Sequence, residues 1–187
     1  TLTSYTLTTA DAHKFLKVVV TANDANGSST QTAESAYMTI ANTAPVNSIV
    51  PAISGTATVG NALTVTSGTW SDTDSDTLTY SYQWYRATDS SGTGATAISG
   101  ATLTSYTLTT ADAHKFLKVV VTANDGNGSS TQTAQSIYTA IANTAPVNSA
   151  VPAISGTAVV GNALSASTGT WSDADTDTVT YSYQWYR

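Results

Sequence analysis

Two short segments carry the densest chemistry in the chain. SDTDSD (71–76) and SDADTD (172–177) each set three aspartates at alternate positions: Asp72, Asp74 and Asp76, then Asp173, Asp175 and Asp177. Two carboxylates about 5 Å apart repel by roughly 1 kcal/mol in water, and by more where water is excluded. A divalent cation removes that repulsion. Calcium takes about six to eight oxygens, so three carboxylates need further donors from carbonyls, water or another loop. The spacing is not that of an EF-hand loop, because Thr77 stands where its turn glycine belongs and Gln83 where its bidentate acid belongs. A solvated acidic turn is the plain alternative.

Other reactive residues lead to less. His13 and His114 lie two residues after Asp11 and Asp112, but no nucleophile motif accompanies them, so no enzyme activity is expected. Lys14, Lys17, Lys115 and Lys118 are isopeptide candidates without an acid patterned in a strand to promote the reaction. NGS at 26–28 and 127–129 matches a glycosylation sequon and equally a hairpin turn. There is no cysteine, hence neither a disulfide nor a thiolate metal site. A net charge of −6 with six Lys and Arg leaves no basic patch, so nucleic acid and anionic membranes are poor partners. No apolar run approaches the ~18 residues of a membrane span. The chain lacks a starting Met and a signal peptide, so residue 1 is not expected to be the natural start.

The elements that position these residues come from a repeat. Shifted by 101 positions, residues 1–86 align with 102–187 and differ at 14 places, leaving 72 identical. A period near 100 residues fits a whole globular module better than a solenoid turn. NTAPVNS at 42–48 and 143–149 is the seam, because Pro45 and Pro146 interrupt pairing. The expected domains are therefore 1–43, the C-terminal half of a preceding repeat; 44–144, a complete repeat; and 145–187, the N-terminal half of a following one.

Period-2 alternation predicts strands at 46–58 (interrupted by Pro51), 62–67, 78–85, 103–109, 116–123 and 131–141, with a short edge strand inside the glycine-rich stretch 87–101. Leu78, Tyr80, Tyr82 and Trp84 share one face, read as core rather than as a sugar platform, while Tyr85 and Arg86 face the other way as candidate contacts. Trp70 is expected to cap one edge. About seven strands in about 100 residues is the count of an all-β sandwich.

ISGTATVGNALTVTSGTW, LTYSYQWYR and TAISGATLTSYTLTTADAHKFLKVVVTANDGNGSS together resemble the bacterial immunoglobulin-like (Big-type) tandem repeats of large surface adhesins and extracellular fibre proteins. The resemblance covers essentially the whole chain. It implies a seven-stranded Greek-key β-sandwich, with Trp84 as the core tryptophan of the third strand and Asp112 at the corner entering the sixth. Members of that family usually carry Gly where this chain has His13 and His114. The implied role is a structural spacer or adhesive module, extracellular or on the bacterial surface, with neighbouring copies of the repeat as partners in cis or trans. A carbohydrate- or receptor-binding module, taking a host or matrix glycan, is the alternative.

The NTAPV linker and the aspartate loop are also similar to cadherin-like bacterial repeats, which bind calcium. In an immunoglobulin topology that loop shares a pole with the hairpin bearing Asp125 and Asn127 and faces the preceding corner with Asp11 and His13. The expected calcium ligands are Asp72, Asp74, Asp76, Asp125, Asn127, Asp173, Asp175 and Asp177, with no other cofactor required.

The repeat phase also puts TYSYQWYR, a core strand at 79–86, at 180–187. Residues 1–43 and 145–187 are each too small to bury a core, so each is expected to pack against complementary strands, from continuing chain or from a second molecule in a head-to-tail filament.

Overall fold

The computed structural model describes residues 3–27, 29–128 and 131–187. The serines of the two sequons, Ser28 and Ser129, lie outside the described residues. The chain is all-β, with two single-turn 3₁₀ segments at Thr9–Asp11 and Thr110–Asp112. In chain order the strands are β1 (Phe15–Leu16), β2 (Val19–Asn23), β3 (Thr30–Glu34), β4 (Met38–Thr39), β5 (Val46–Ile49), β6 (Ile53–Gly55), β7 (Ala62–Val65), β8 (Thr69–Ser71) and β9 (Thr79–Ala87). They continue with β10 (Thr96–Ala97), β11 (Ser105–Thr107), β12 (Phe116–Asn124), β13 (Thr131–Gln135), β14 (Thr139–Ala140), β15 (Val147–Ala150), β16 (Ile154–Ser155), β17 (Ser165–Ala166) and β18 (Thr170–Ser172).

The chain divides into two compact units, one of Thr1–Val50, Gly68–Ser81 and Val121–Ala134, the other of Pro51–Ser67, Tyr82–Val120 and Gln135–Arg187. The first contains the antiparallel pairs β1–β4, β2–β3 and β5–β8. The second contains the three-stranded sheet β11-β7-β6 and the pairs β15–β18 and β16–β17. The five-stranded sheet has the order β10-β9-β12-β13, with β14 also pairing β12.

β12 shows why this sequence makes strands. Its residues alternate without a break between buried and partly exposed, and Leu117, Val119, Val121 and Ala123 are fully buried. β-branched side chains at successive inward positions fill a pleated surface well. In the second unit Leu63 of β7, Trp84 of β9, Leu108, Leu117 and Val119 make the core. The Trp84 indole N–H donates to the Leu103 carbonyl at 2.9 Å, which satisfies the only polar atom of a side chain otherwise out of water. Its ring lies 5.7 Å from that of Tyr106.

Several strand expectations need correction. The 46–58 strand divides at Pro51 into β5 and β6, as its proline requires, but Trp70 lies within a strand, β8, with Asn47 opposite, rather than merely capping an edge. The segment 103–109 shortens to β11, and 131–141 breaks into β13 and β14. The break is at Ser136, whose hydroxyl accepts the Val119 N–H at 3.0 Å where a ladder carbonyl would otherwise do so. Of the face Leu78, Tyr80, Tyr82 and Trp84, only Trp84 is fully buried; Tyr80 is 38% exposed and tilts against Trp70 at 6.3 Å. Residues 180–187 form no strand and β2 is exposed throughout; among the described residues the strands of 3–43 and of 145–187 pair only within their own segment.

Candidate metal centre

Each aspartate triplet is folded by its own first member. The Asp72 Oδ1 accepts the backbone N–H of Asp74 at 2.8 Å and of Asp76 at 3.4 Å. Ser75 sits at φ +63°, so the loop turns back on itself and brings alternate carboxylates to one side. Asp74 Oδ2 then accepts the Thr43 N–H at 2.7 Å, and both oxygens of Asp76 lie within 3.0 Å of His13 Nε2. His13 itself adopts φ +59°, a conformation that glycine takes freely and that turns this imidazole onto the acid.

The hairpin supplies a fourth acid. Asp125, 4% exposed, accepts Asn42 Nδ2 at 2.8 Å and the Asn127 N–H at 2.9 Å. Those two donors, Asn42 first, hold its carboxyl below the usual aspartate range. Donor atoms of Asp72, Asp76 and Asp125 lie within 4.8 Å of one another, as do those of His13, Asp74 and Asp76. Asp76 belongs to both groups.

The second triplet repeats this geometry. Asp173 Oδ1 accepts from Asp175 N at 2.8 Å and Asp177 N at 3.3 Å, and Thr176 stands at φ +62°. Asp175 Oδ2 accepts the Thr144 N–H at 2.6 Å, and His114 Nε2 lies 3.0 Å from Asp177. His114, Asp175 and Asp177 again fall within 4.8 Å of one another.

Two observations bear on whether a cation fits. Asp72 Oδ2 and Asp175 Oδ1 are buried oxygens without a hydrogen-bond partner among the described residues. Asp175 as a whole is 4% exposed. A buried, anionic oxygen left without a donor costs more than a neutral one, and a divalent ion would satisfy it. Oxygen donors from Asp72, Asp76 and Asp125, completed by water, suit calcium; the histidine groups suit an ion that also accepts nitrogen.

Of the expected ligands, the structure gathers Asp72, Asp74, Asp76 and Asp125 in one place and Asp175 and Asp177 in the other. Asp173 serves as the turn's hydrogen-bond acceptor and lies outside those donor groups. Asn127 engages through its backbone, its carbonyl accepting Asn42 Nδ2 at 3.1 Å. His13 and His114 stand outside the ligands expected from the aspartate spacing. Their signal was a bulky imidazole at two corner positions where a positive φ is needed.

A second polar cluster holds the corner. The Asp112 carboxylate, fully buried, accepts the Tyr106 hydroxyl at 2.9 Å, the Thr109 N–H at 2.8 Å and hydroxyl at 2.9 Å, and Arg86 Nε at 2.7 Å. Burial, with the bond to Asp112, pushes the Tyr106 phenol above its ordinary value. Arg86 is thus an internal ion-pair partner rather than an outward contact. Tyr85 keeps an outward face, with the Lys118 ammonium 5.8 Å from its ring centre.

Comparison with known proteins bears on the fold these sites are built on. Residues 51–151 match the family model SCAB-Ig, described as the Ig domain of plant-specific actin-binding protein. No curated protein and no solved structure matches the chain. The matched residues make up more than half of an all-β chain, and the chain belongs to this immunoglobulin-domain family.

Proposed function

We propose that the chain is a non-enzymatic structural segment of a tandem immunoglobulin-like array in a bacterial extracellular fibre or surface adhesin, with 44–144 as one complete repeat. Its work is reach and mechanical continuity. The observation that carries this reading is the duplication of one contact set. His13–Asp76 and Thr43–Asp74 recur as His114–Asp177 and Thr144–Asp175, each pair 101 residues on and with nearly the same distances. A contact that recurs with the repeat belongs to how one copy follows another.

Mechanical unfolding tests it. A chain pulled from its two ends should show one cooperative rupture, releasing about 100 residues at roughly 3.3–3.6 Å each. Smooth extension without a rupture would remove the reading.

Calcium at the aspartate loops is part of the proposal, supported by the donorless oxygens of Asp72 and Asp175. It would replace carboxylate repulsion with shared coordination and so stiffen the passage from one copy to the next. Calorimetric titration of the full chain should give saturable heat and a raised Tm, both reduced in Asp76→Asn. Flat heats with an unchanged Tm leave a hydrogen-bonded acidic turn instead. The alternative, a glycan- or receptor-binding module, loses Arg86 to Asp112 and retains Tyr85. Actin binding is named for the plant protein that carries the matched domain, and no residue pattern here adds support for it.

A further inference from the structure

The chain has two histidines, and each turns its Nε2 onto the last aspartate of a triplet. His114 Nε2 lies 3.0 and 3.1 Å from the two oxygens of Asp177, and His13 Nε2 lies 3.0 and 2.9 Å from those of Asp76. An ion pair accounts for that contact by itself. It does not account for the third member of each group.

Asp175 is 4% exposed; its Oδ2 accepts the Thr144 N–H at 2.6 Å, and its Oδ1 is buried without a partner among the described residues. The Thr144 Oγ1 is buried and unpartnered as well. Because donor atoms of His114, Asp175 and Asp177 lie within 4.8 Å of one another, this buried carboxylate also stands beside a second negative charge. Desolvation and repulsion therefore add. An imidazolium offsets one of the two charges, a divalent cation both. The earlier copy has the same build: Thr43 N–H holds Asp74 Oδ2 at 2.7 Å, and His13, Asp74 and Asp76 fall within the same limit. There Asp72 Oδ2 is the buried oxygen without a partner, although the hairpin acid Asp125 lies beside that loop.

The donors decide which ion. Calcium and magnesium take oxygen, whereas imidazole nitrogen suits zinc and its neighbours among the transition metals. Three protein ligands with a fourth position left to water make an open zinc site, and bonds of about 2.0–2.1 Å at tetrahedral angles put donors about 3.3 Å apart, near the His–Asp separations here. In both groups a backbone N–H holds the other oxygen of the middle aspartate, as outer partners do around metal ligands. The His114 and Asp177 side chains are 51% and 44% exposed, which leaves the ion a way in.

We propose that His114, Asp175 and Asp177 bind one divalent ion of the zinc type through Nε2 and two carboxylate oxygens, and that His13, Asp74 and Asp76 bind a second. The ion takes the place of the proton between Nε2 and the carboxylate, and that proton passes to solvent or to Nδ1. This goes beyond the calcium reading and does not rest on it.

Zinc chloride titrated into the full chain tests it. Heats should saturate at two ions per chain, at one in His13→Gly or His114→Gly, and at none in the double variant. Losing a ligand should weaken a site by more than the roughly 10–100-fold that follows loss of an outer partner. His13 and His114 stand at φ +59° and +57°, which glycine adopts freely, so these variants lose the imidazole without straining the corner. A second measurement needs no substitution: nitrogen-15 spectra of the unaltered chain should show both Nε2 signals shifting with zinc until two equivalents are bound. Flat zinc heats, a double variant that binds like the unaltered chain, or imidazole signals that zinc leaves in place would each overturn the proposal and leave two His–Asp ion pairs.

Discussion

Residues 79–86 and 180–187 are the same eight amino acids, yet one makes up all but the last residue of a nine-residue strand and the other is no strand. FLKVVVTAN differs likewise: continuous and alternately buried as Phe116–Asn124, broken into β1 and β2 and without a buried residue at 15–23. The corners behave in the opposite way. Thr8 N to Asp11 and Thr109 N to Asp112 are both 2.8 Å, and Tyr5 and Tyr106 each donate to their aspartate at 2.9 Å. Identical sequence thus gives identical turns and different strands. Hydrogen bonds that close over three to six residues form wherever the sequence occurs. A strand's bonds and burial need a partner far along the chain.

The sharpest way to break this comparison is to make one substitution in both copies. Trp84→Ala should destabilise the chain by roughly 3–5 kcal/mol, because it empties a filled core position. Trp185→Ala should stay within about 0.5 kcal/mol for the single chain at high dilution. Urea midpoints for the two variants measure the difference, and equal losses would mean that the terminal tryptophan is as well packed as the central one.

Next in size is the corner acid. Asp112→Ala leaves Arg86 without its partner beside a buried corner and should cost roughly 3–5 kcal/mol. Asp11→Ala removes the same local bonds without orphaning an arginine, so its loss in the same urea assay should be clearly smaller. If the two match, the local hydrogen bonds, and not the ion pair, carry the corner's stability.

The smallest effect concerns a turn that occurs once. Asp89 accepts from Thr93 and Ser91, which holds its carboxyl well below the ordinary value. A carboxyl lowered on folding adds stability that is present above its unfolded value, near 3.9, and is lost as pH falls through the folded one. Asp89→Asn should therefore be less stable than wild type at neutral pH, with the gap closing below about pH 3.9. A gap independent of pH would show that the turn, and not the charge, is responsible.

Much of the fold was legible because alternation in 116–123 and 78–85 and the proline at 51 act through the backbone of the residues themselves. Ser136 was not, since its hydroxyl breaks a strand only by reaching Val119 across the sheet. The aspartate triplets announced the candidate site by their spacing. The sequence set the aspartate loop opposite the corner with His13, but did not disclose that Asp76 itself would bond the imidazole, or that one oxygen of Asp72 and one of Asp175 would be left buried without a donor among the described residues. Arg86 misled for a similar reason, its partner lying 26 residues on.

By itself, then, the sequence determined the period, the turns, the corner caps and which faces of each segment are apolar, because these depend on residues within a few positions of one another. Tertiary structure decided which apolar faces are covered and which aspartates converge. A β-strand leaves its hydrogen-bonding groups open until a neighbour arrives, and whether one arrives is settled by the rest of the chain and not by the strand.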